Sequence, residues 1–408
     1  MQTNLRTAVV ASHVKYFLFY NLLYFLPLAF VAVYEFTQNG ISEAAAVNWQ
    51  DLRRITLLYV FGCAAFCLGS AFRSLVGFLT GTPTDGESIS SRLPLYPAAM
   101  GWAAQITVAL TVVAFILSKI LLVPSGVYSA YAFDTGQMEG GLWGASMMLS
   151  ELLVLFSLAA LFSGRRRNVL WFAILAGING INLLHGTRIF FIVSVLGFSL
   201  YLYLRGKLSW RIVLGGVCGV TVLAYVVFVL RSSLELSGEG SWAARLLVPV
   251  MAESIFSQLS LLSIIRDSHL WSAGGAIPQF IQDNFYFLMP RLLLPNKSSI
   301  LYIDRFSDLS PLGAFSGYAQ GLIYFGYWIP LVYFVFGTVA DWLARRASFS
   351  ATWSLLYVYF TCDFLFRIMR DGYIIPIKML LDNLAVLGAI YFVQLLFPDP
   401  IAEYGAAT

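Results

Sequence analysis

The residues best equipped for chemistry are five arginines, one glutamate and one histidine: Arg188, Arg266, Arg291, Arg367, Arg370, Glu253 and His185. The arginines lie in or beside apolar sequence, where a cation must be paired or must hold something anionic. Arg188 ends the tetrapeptide His185-Gly186-Thr187-Arg188 and opens the apolar run that follows. At a helix N-terminus the macrodipole disfavours a cation by some tenths of a kcal/mol, and an anionic partner repairs the mismatch. Guanidinium and free N-terminal amides together make a phosphate-sized site. The plainer alternative is an arginine touching lipid phosphates without selectivity. His185, in turn, is either a packed turn residue or a proton-transfer group.

The remaining candidates sit further along. Glu253 shares a polar stripe with Ser254, Ser257 and Gln258 inside a hydrophobic run, a stripe that faces either a site or water. Arg266 closes that run, where a helix C-terminus favours a cation anyway. Arg291 lies between Pro290 and Pro295 in apolar surroundings. Asp363, Arg367 and Arg370 follow at i, i+4 and i+7, one helix face, and Lys378 and Asp382 repeat an i, i+4 pair. Pairing of Asp363 with Arg367 and of Lys378 with Asp382 leaves Arg370 over.

The elements that must position these residues are membrane helices. Hydrophobic residues make up 59% of the 408 positions and charged ones 11%, against about 25% charged in soluble domains. Ten stretches approach the roughly 20 apolar residues a span needs: 16–36, 55–78, 98–123, 142–163, 169–184, 189–204, 212–230, 317–343, 351–369 and 373–397. Lys and Arg concentrate in alternate short loops, which puts that side and both termini in the cytoplasm. The expected fold is therefore an all-α polytopic membrane protein of about ten transmembrane helices. Its parts are an N-terminal bundle over 1–230, a helical periplasmic cap over 231–316, and C-terminal spans over 317–408. The run 246–265 is expected to be an amphipathic helix on the outer face, because an eleventh span would bury Glu253 at roughly 2.5–3.5 kcal/mol on insertion scales.

Glu151 falls mid-span, as a helix clamp or a cavity-lining group. Residues 310–326 are rich in small side chains, and Gly313, Gly317, Gly321 and Gly326 permit close approach of helices or of a lipid chain. The four cysteines fall within spans and have no metal-ligand spacing to histidine. No P-loop or dinucleotide fingerprint is present, so neither a nucleotide cofactor nor a nucleic-acid partner is expected.

The many short spans, the outward HGTR tip, one large outer loop, the small-residue run leading into Tyr324-Phe325-Gly326, and the late helix bearing Arg367 and Arg370 resemble the bacterial O-antigen polymerase family. That family is similar to the class C glycosyltransferases, so the resemblance implies a GT-C-like bundle in the bacterial inner membrane. It also implies the activity, extension of undecaprenyl-pyrophosphate-linked oligosaccharides into surface polysaccharide, and among the partners it leaves open are membrane lipids and a chain-length regulator. On this reading Arg188, Arg266, Arg291, Arg367 and Arg370 bind pyrophosphate. A carboxylate or histidine deprotonates the acceptor hydroxyl. Asp363 is consumed by Arg367, Asp267 is solvated and His269 lies in a turn, which leaves Glu253 as base, with His185 second. The alternative for Glu253 is pairing with Arg245 or facing water. No DxD-like pair stands out, so no metal or other cofactor is expected. O-antigen ligase and lipid-linked oligosaccharide transporter are the alternatives.

Overall fold

The structure is a computed structural model that describes residues 12–34, 49–80, 102–122, 140–162, 168–184, 187–204, 254–289 (except 256 and 268), 300–309 and 315–396 (except 348 and 350), with isolated positions between 208 and 222. Among the described residues the secondary structure is helical throughout. Three stretches are long and apolar enough to cross a membrane, Trp49–Val76, Gly317–Arg346 and Ile374–Val393. Shorter apolar helices occupy 105–120, 146–158, 173–183 and 189–204. The stretch expected at 212–230 lies largely outside the described residues.

In chain order the helices are α1 (Ser12–Tyr34), α2 (Trp49–Thr80), α3 (Trp102–Leu122), α4 (Gly140–Phe162), α5 (Asn168–Leu184), α6 (Ile189–Leu204), α7 (257–266), α8 (Ile277–Leu288), α9 (Gly317–Phe325), α10 (Ile329–Arg346), α11 (Ala351–Tyr359), α12 (Leu365–Asp371) and α13 (Ile374–Leu396). A 3-10 helix, Ile303–Leu309, follows α8, and a π turn, Phe360–Phe364, joins α11 to α12. They form two compact units. The first comprises Met1–Leu93, Thr221–Arg346 and Phe360–Lys378; the second comprises Pro94–Val220, Ala347–Tyr359 and Met379–Thr408.

In the first unit α1 and α2 run antiparallel. His13 Nε2 meets Ser70 Oγ at 2.7 Å, Phe17 stacks on Phe66 at 3.9 Å, and Phe25 lies against Tyr59 at 5.5 Å. Glycines set the approach of α2 to α10. A Cβ on Gly69 would overlap the Phe334 carbonyl oxygen, and one on Gly337 would overlap that of Phe66. The small-residue logic of membrane helix packing thus operates at 69 and 337. Leu57, Phe61, Leu68 and Phe72 of α2, with Leu331 and Val335 of α10, remain exposed, as a lipid-facing surface requires.

The stretch expected to be one span from residue 317 is broken. Gly326 takes φ +54°, ψ −127°, and the chain reverses there. Tyr318 and Tyr333 would be about 22 Å apart along a straight helix, yet their ring centroids are 4.9 Å apart. Ile329 likewise lies 3.1 Å from the position of a Cβ on Gly321. The short limb α9 is only about 13 Å long and every residue in it is buried, so it is a re-entrant limb, and α10 is what remains of the candidate span. The N-terminal end of α9 touches α12, where a Cβ on Gly317 would strike the Ile368 carbonyl oxygen.

The expectation of a surface helix over 246–265 also fails in its described part. Ser254, Ile255, Ser257, Gln258, Ser260, Leu261, Leu262 and Ile264 are buried. α7 runs antiparallel to the first turns of α2, with Arg266 against Asp51 and Gln258 against Tyr59. Its polar stripe is therefore turned into protein, where hydroxyl-to-carbonyl bonds such as Ser260 Oγ to Ser257 O, 2.7 Å, accommodate it.

In the second unit α5 and α6 form the expected hairpin. The Thr187 amide and hydroxyl both donate to the Asn182 carbonyl at 2.9 Å, closing the turn. Asn179 donates to Ser194 at 3.0 Å across the pair. Glu151 acts as a clamp: it accepts from Tyr359 Oη and Asn383 Nδ2, both at 2.8 Å, and so ties α4 to α11 and α13.

Candidate functional site

The π turn Phe360–Phe364 presents Asp363 toward the start of α12; π turns recur at functional positions because they re-aim one side chain. Asp363 Oδ1 accepts from Arg367 Nε at 2.6 Å, and both side chains are 2% exposed. One turn further on, Asp371 Oδ2 stands 4.0 Å from Arg367 Nη1, while its Oδ1 accepts from Arg370 Nη1 at 2.6 Å. The result is an alternating row, Asp363, Arg367, Asp371, Arg370, with no net charge. Burying a charge without a partner costs several kcal/mol, which explains why the row is self-compensating.

The row corrects the reading that left Arg370 over. The sequence count omitted Asp371, which supplies the carboxylate. Arg367 is sealed inside, whereas the Arg370 side chain is 28% exposed at the end of α12. Of the two, Arg370 is the one an external anion can reach. Gly372, at φ +76°, ends the helix, and a Cβ there would collide with the Gln320 carboxamide. Gln320 Oε1 in turn accepts the Tyr373 amide at 2.7 Å, so the re-entrant limb holds the break in place.

Arg266 is ion-paired, beyond any favourable dipole: its Nε donates to Asp51 Oδ2 at 2.8 Å with the guanidinium side chain 35% exposed. Asp267 Oδ1 accepts the His269 amide at 2.9 Å in an exposed turn, which agrees with its expected solvation. Arg188 opens α6, since the Ile192 amide donates to its carbonyl at 3.1 Å, and it belongs to the second unit. Glu253, His185 and Arg291 lie outside the described residues.

A second feature was missed from sequence. Around α9 the first unit buries Gln258, Tyr59, Tyr333, Tyr373 and Ser316 with polar atoms that have no hydrogen-bond partner among the described residues. Tyr59 adjoins Gln258, and Tyr333 adjoins Tyr373, without hydrogen-bond geometry. Ser316 is the N-cap of α9, yet its hydroxyl does not cap; its amide donates to Ser260 Oγ at 3.1 Å. Each unpaired buried group costs about 1–3 kcal/mol, and native interiors hold few of them. The signals were present in the Ser254/Ser257/Gln258 stripe and in the small-residue run. What sequence could not give was their meeting across some 60 residues.

Asp283 accounts for the fold of the region between. Its carboxylate accepts the Tyr302 and Ile303 amides at 2.8 and 3.0 Å and the Tyr324 hydroxyl at 2.5 Å. α8, the 3-10 helix and α9 are thereby held by one buried side chain. Asp304, on that 3-10 helix, has its carboxyl raised above the ordinary value, first by burial and then by the Asp283 charge. No protein-family model matches this chain, and no curated protein and no solved structure is significantly similar to it.

Proposed function

We propose that the protein is a metal-independent membrane glycosyltransferase that joins undecaprenyl-pyrophosphate-linked oligosaccharide repeat units at the outer face of the bacterial inner membrane. The reading includes a GT-C-like bundle of ten spans with both termini cytoplasmic, α10 serving as the eighth. The observation that carries it is Arg370: a guanidinium 28% exposed beside the sealed Asp363–Arg367 pair. Its carboxylate partner, Asp371, can be exchanged for a phosphate oxygen, and a planar fork suits that exchange better than an ammonium does.

In the reaction the acceptor hydroxyl oxygen attacks the anomeric carbon of the growing chain. The bond from that carbon to the pyrophosphate oxygen breaks, and the electron pair leaves with the pyrophosphate. Arg370, with Arg266 and Arg291, stabilises that departing charge; Arg367 positions its neighbours through the ion-paired row. Glu253 takes the hydroxyl proton.

Incubation of purified protein with a synthetic lipid-pyrophosphate repeat unit tests this by gel. A ladder is expected. Transfer only onto a lipid A core would make the protein a ligase, and absence of product with intact lipid binding would favour a transporter. Because a bidentate anion is being read, Arg370→Lys should shorten the polymer nearly as much as Arg370→Ala.

A further inference from the structure

α8 has three distinct faces. At 100° per residue, Ile277, Ile281, Phe285 and Leu288 fall together within about 80° of arc and are 42, 64, 55 and 39% exposed. Phe280, Asp283 and Phe287 form a second face, about 130° round the helix from the first. There Phe280 packs on Tyr324 and Phe325 at 5.2 and 4.8 Å, and Asp283 makes the bonds described above. Gln279, Gln282 and Tyr286 lie between the two. The helix carries one charge, and that charge points into the protein. Four large apolar side chains without a charge among them make a face unsuited to water.

The attachment of α8 fixes the height of that face. The Ala276 amide donates to the Tyr324 carbonyl at 2.8 Å, and the Tyr327 amide donates to the Ala273 carbonyl at 3.1 Å. Gly275 (φ +71°) and Gly326 (φ +54°) each approach the other strand of this contact too closely for a Cβ. Trp271 meets Tyr327 edge-on at 5.3 Å. α8 is thus bolted to the end of α10, where Tyr327 and Trp328 are 72 and 55% exposed. Exposed tyrosine and tryptophan at the end of a spanning helix mark the membrane–water boundary. Further along α10 from that boundary, Leu331 and Val335 are exposed as well.

We infer that α8 lies in the plane of the bilayer, with Ile277, Ile281, Phe285 and Leu288 in the acyl region, Gln279, Gln282 and Tyr286 toward water, and Phe280 and Asp283 against the protein. The occupant of the exposed face is the lipid of the surrounding leaflet. Attachment to the exposed Tyr327–Trp328 end of α10, a helix whose Leu331 and Val335 are also exposed, selects lipid over a protein partner, and the three-way division of faces is what an in-plane helix needs. This holds whatever reaction the protein performs.

Spin labels at Ile281→Cys, Phe285→Cys and Gln282→Cys test it, in full-length protein with the four native cysteines replaced and reconstituted into phosphatidylcholine–phosphatidylglycerol nanodiscs. Collision with oxygen, which partitions into lipid, is compared with collision with a water-soluble nickel chelate. The oxygen-to-nickel ratio is expected to be several-fold higher at 281 and 285 than at 282. Equal ratios at the three positions would put the stripe in water. Low collision with both reagents at 281 and 285 would mean a protein covers it, a second copy included. Either result overturns the inference.

Discussion

Asp371 determines what its neighbours can do. Arg367, locked between two carboxylates, is a structural cation, and removing it would leave Asp363 buried and unpaired. Arg367→Ala should therefore cost about 3–5 kcal/mol, read as loss of the monodisperse peak on size-exclusion chromatography. Arg367→Met with Asp363→Leu should restore much of that peak. Gln258 makes an opposite case. Gln258→Leu deletes unsatisfied buried groups and should stabilise the protein by about 1 kcal/mol or more, seen as a higher Tm; a fall in polymer output alongside it would mark Gln258 as functional. At Asp304 burial lifts the folded carboxyl above its ordinary 3.8. Folding thus penalises the charged form, and the penalty grows as pH rises from the ordinary value through the raised one. Asp304→Asn should raise Tm at pH 7, and the gain should vanish near pH 4.

Between helices, fit is set by absent side chains. Gly69 and Gly337 let α2 and α10 meet backbone to backbone. Gly337→Ala should separate them and cost about 1–3 kcal/mol, measurable as a lower midpoint of thermal unfolding, whereas Gly388→Ala, with open space around it, should cost little. Much at this scale was legible beforehand. Hydropathy located the helices, and i, i+4 spacing paired Asp363 with Arg367. The reversal at Gly326 was not legible, because an apolar run of 30 residues has the same composition whether straight or folded back. Nor was the burial of α7: its serines look amphipathic until backbone carbonyls take their hydroxyls. Arg266 found Asp51 from 215 residues away, and local spacing carries no trace of that.

For the whole molecule, the charge asymmetry of the loops predicts that Arg346 is cytoplasmic and Ser272 external. A membrane-impermeant thiol reagent applied to intact spheroplasts should label Ser272→Cys and spare Arg346→Cys; the reverse pattern would invert the topology.

The hairpin at Gly326 also bears on biosynthesis. Insertion machinery meets Gly317–Arg346 as one apolar stretch, before α12 has been made. α9 is buried on every side, and part of its wall is Ile368, which is translated later. The limb must therefore be drawn into place after insertion, when the last helices arrive. A ribosome-stalled chain whose exposed portion ends at Arg346 should leave Ser316→Cys open to a thiol reagent that the finished protein excludes.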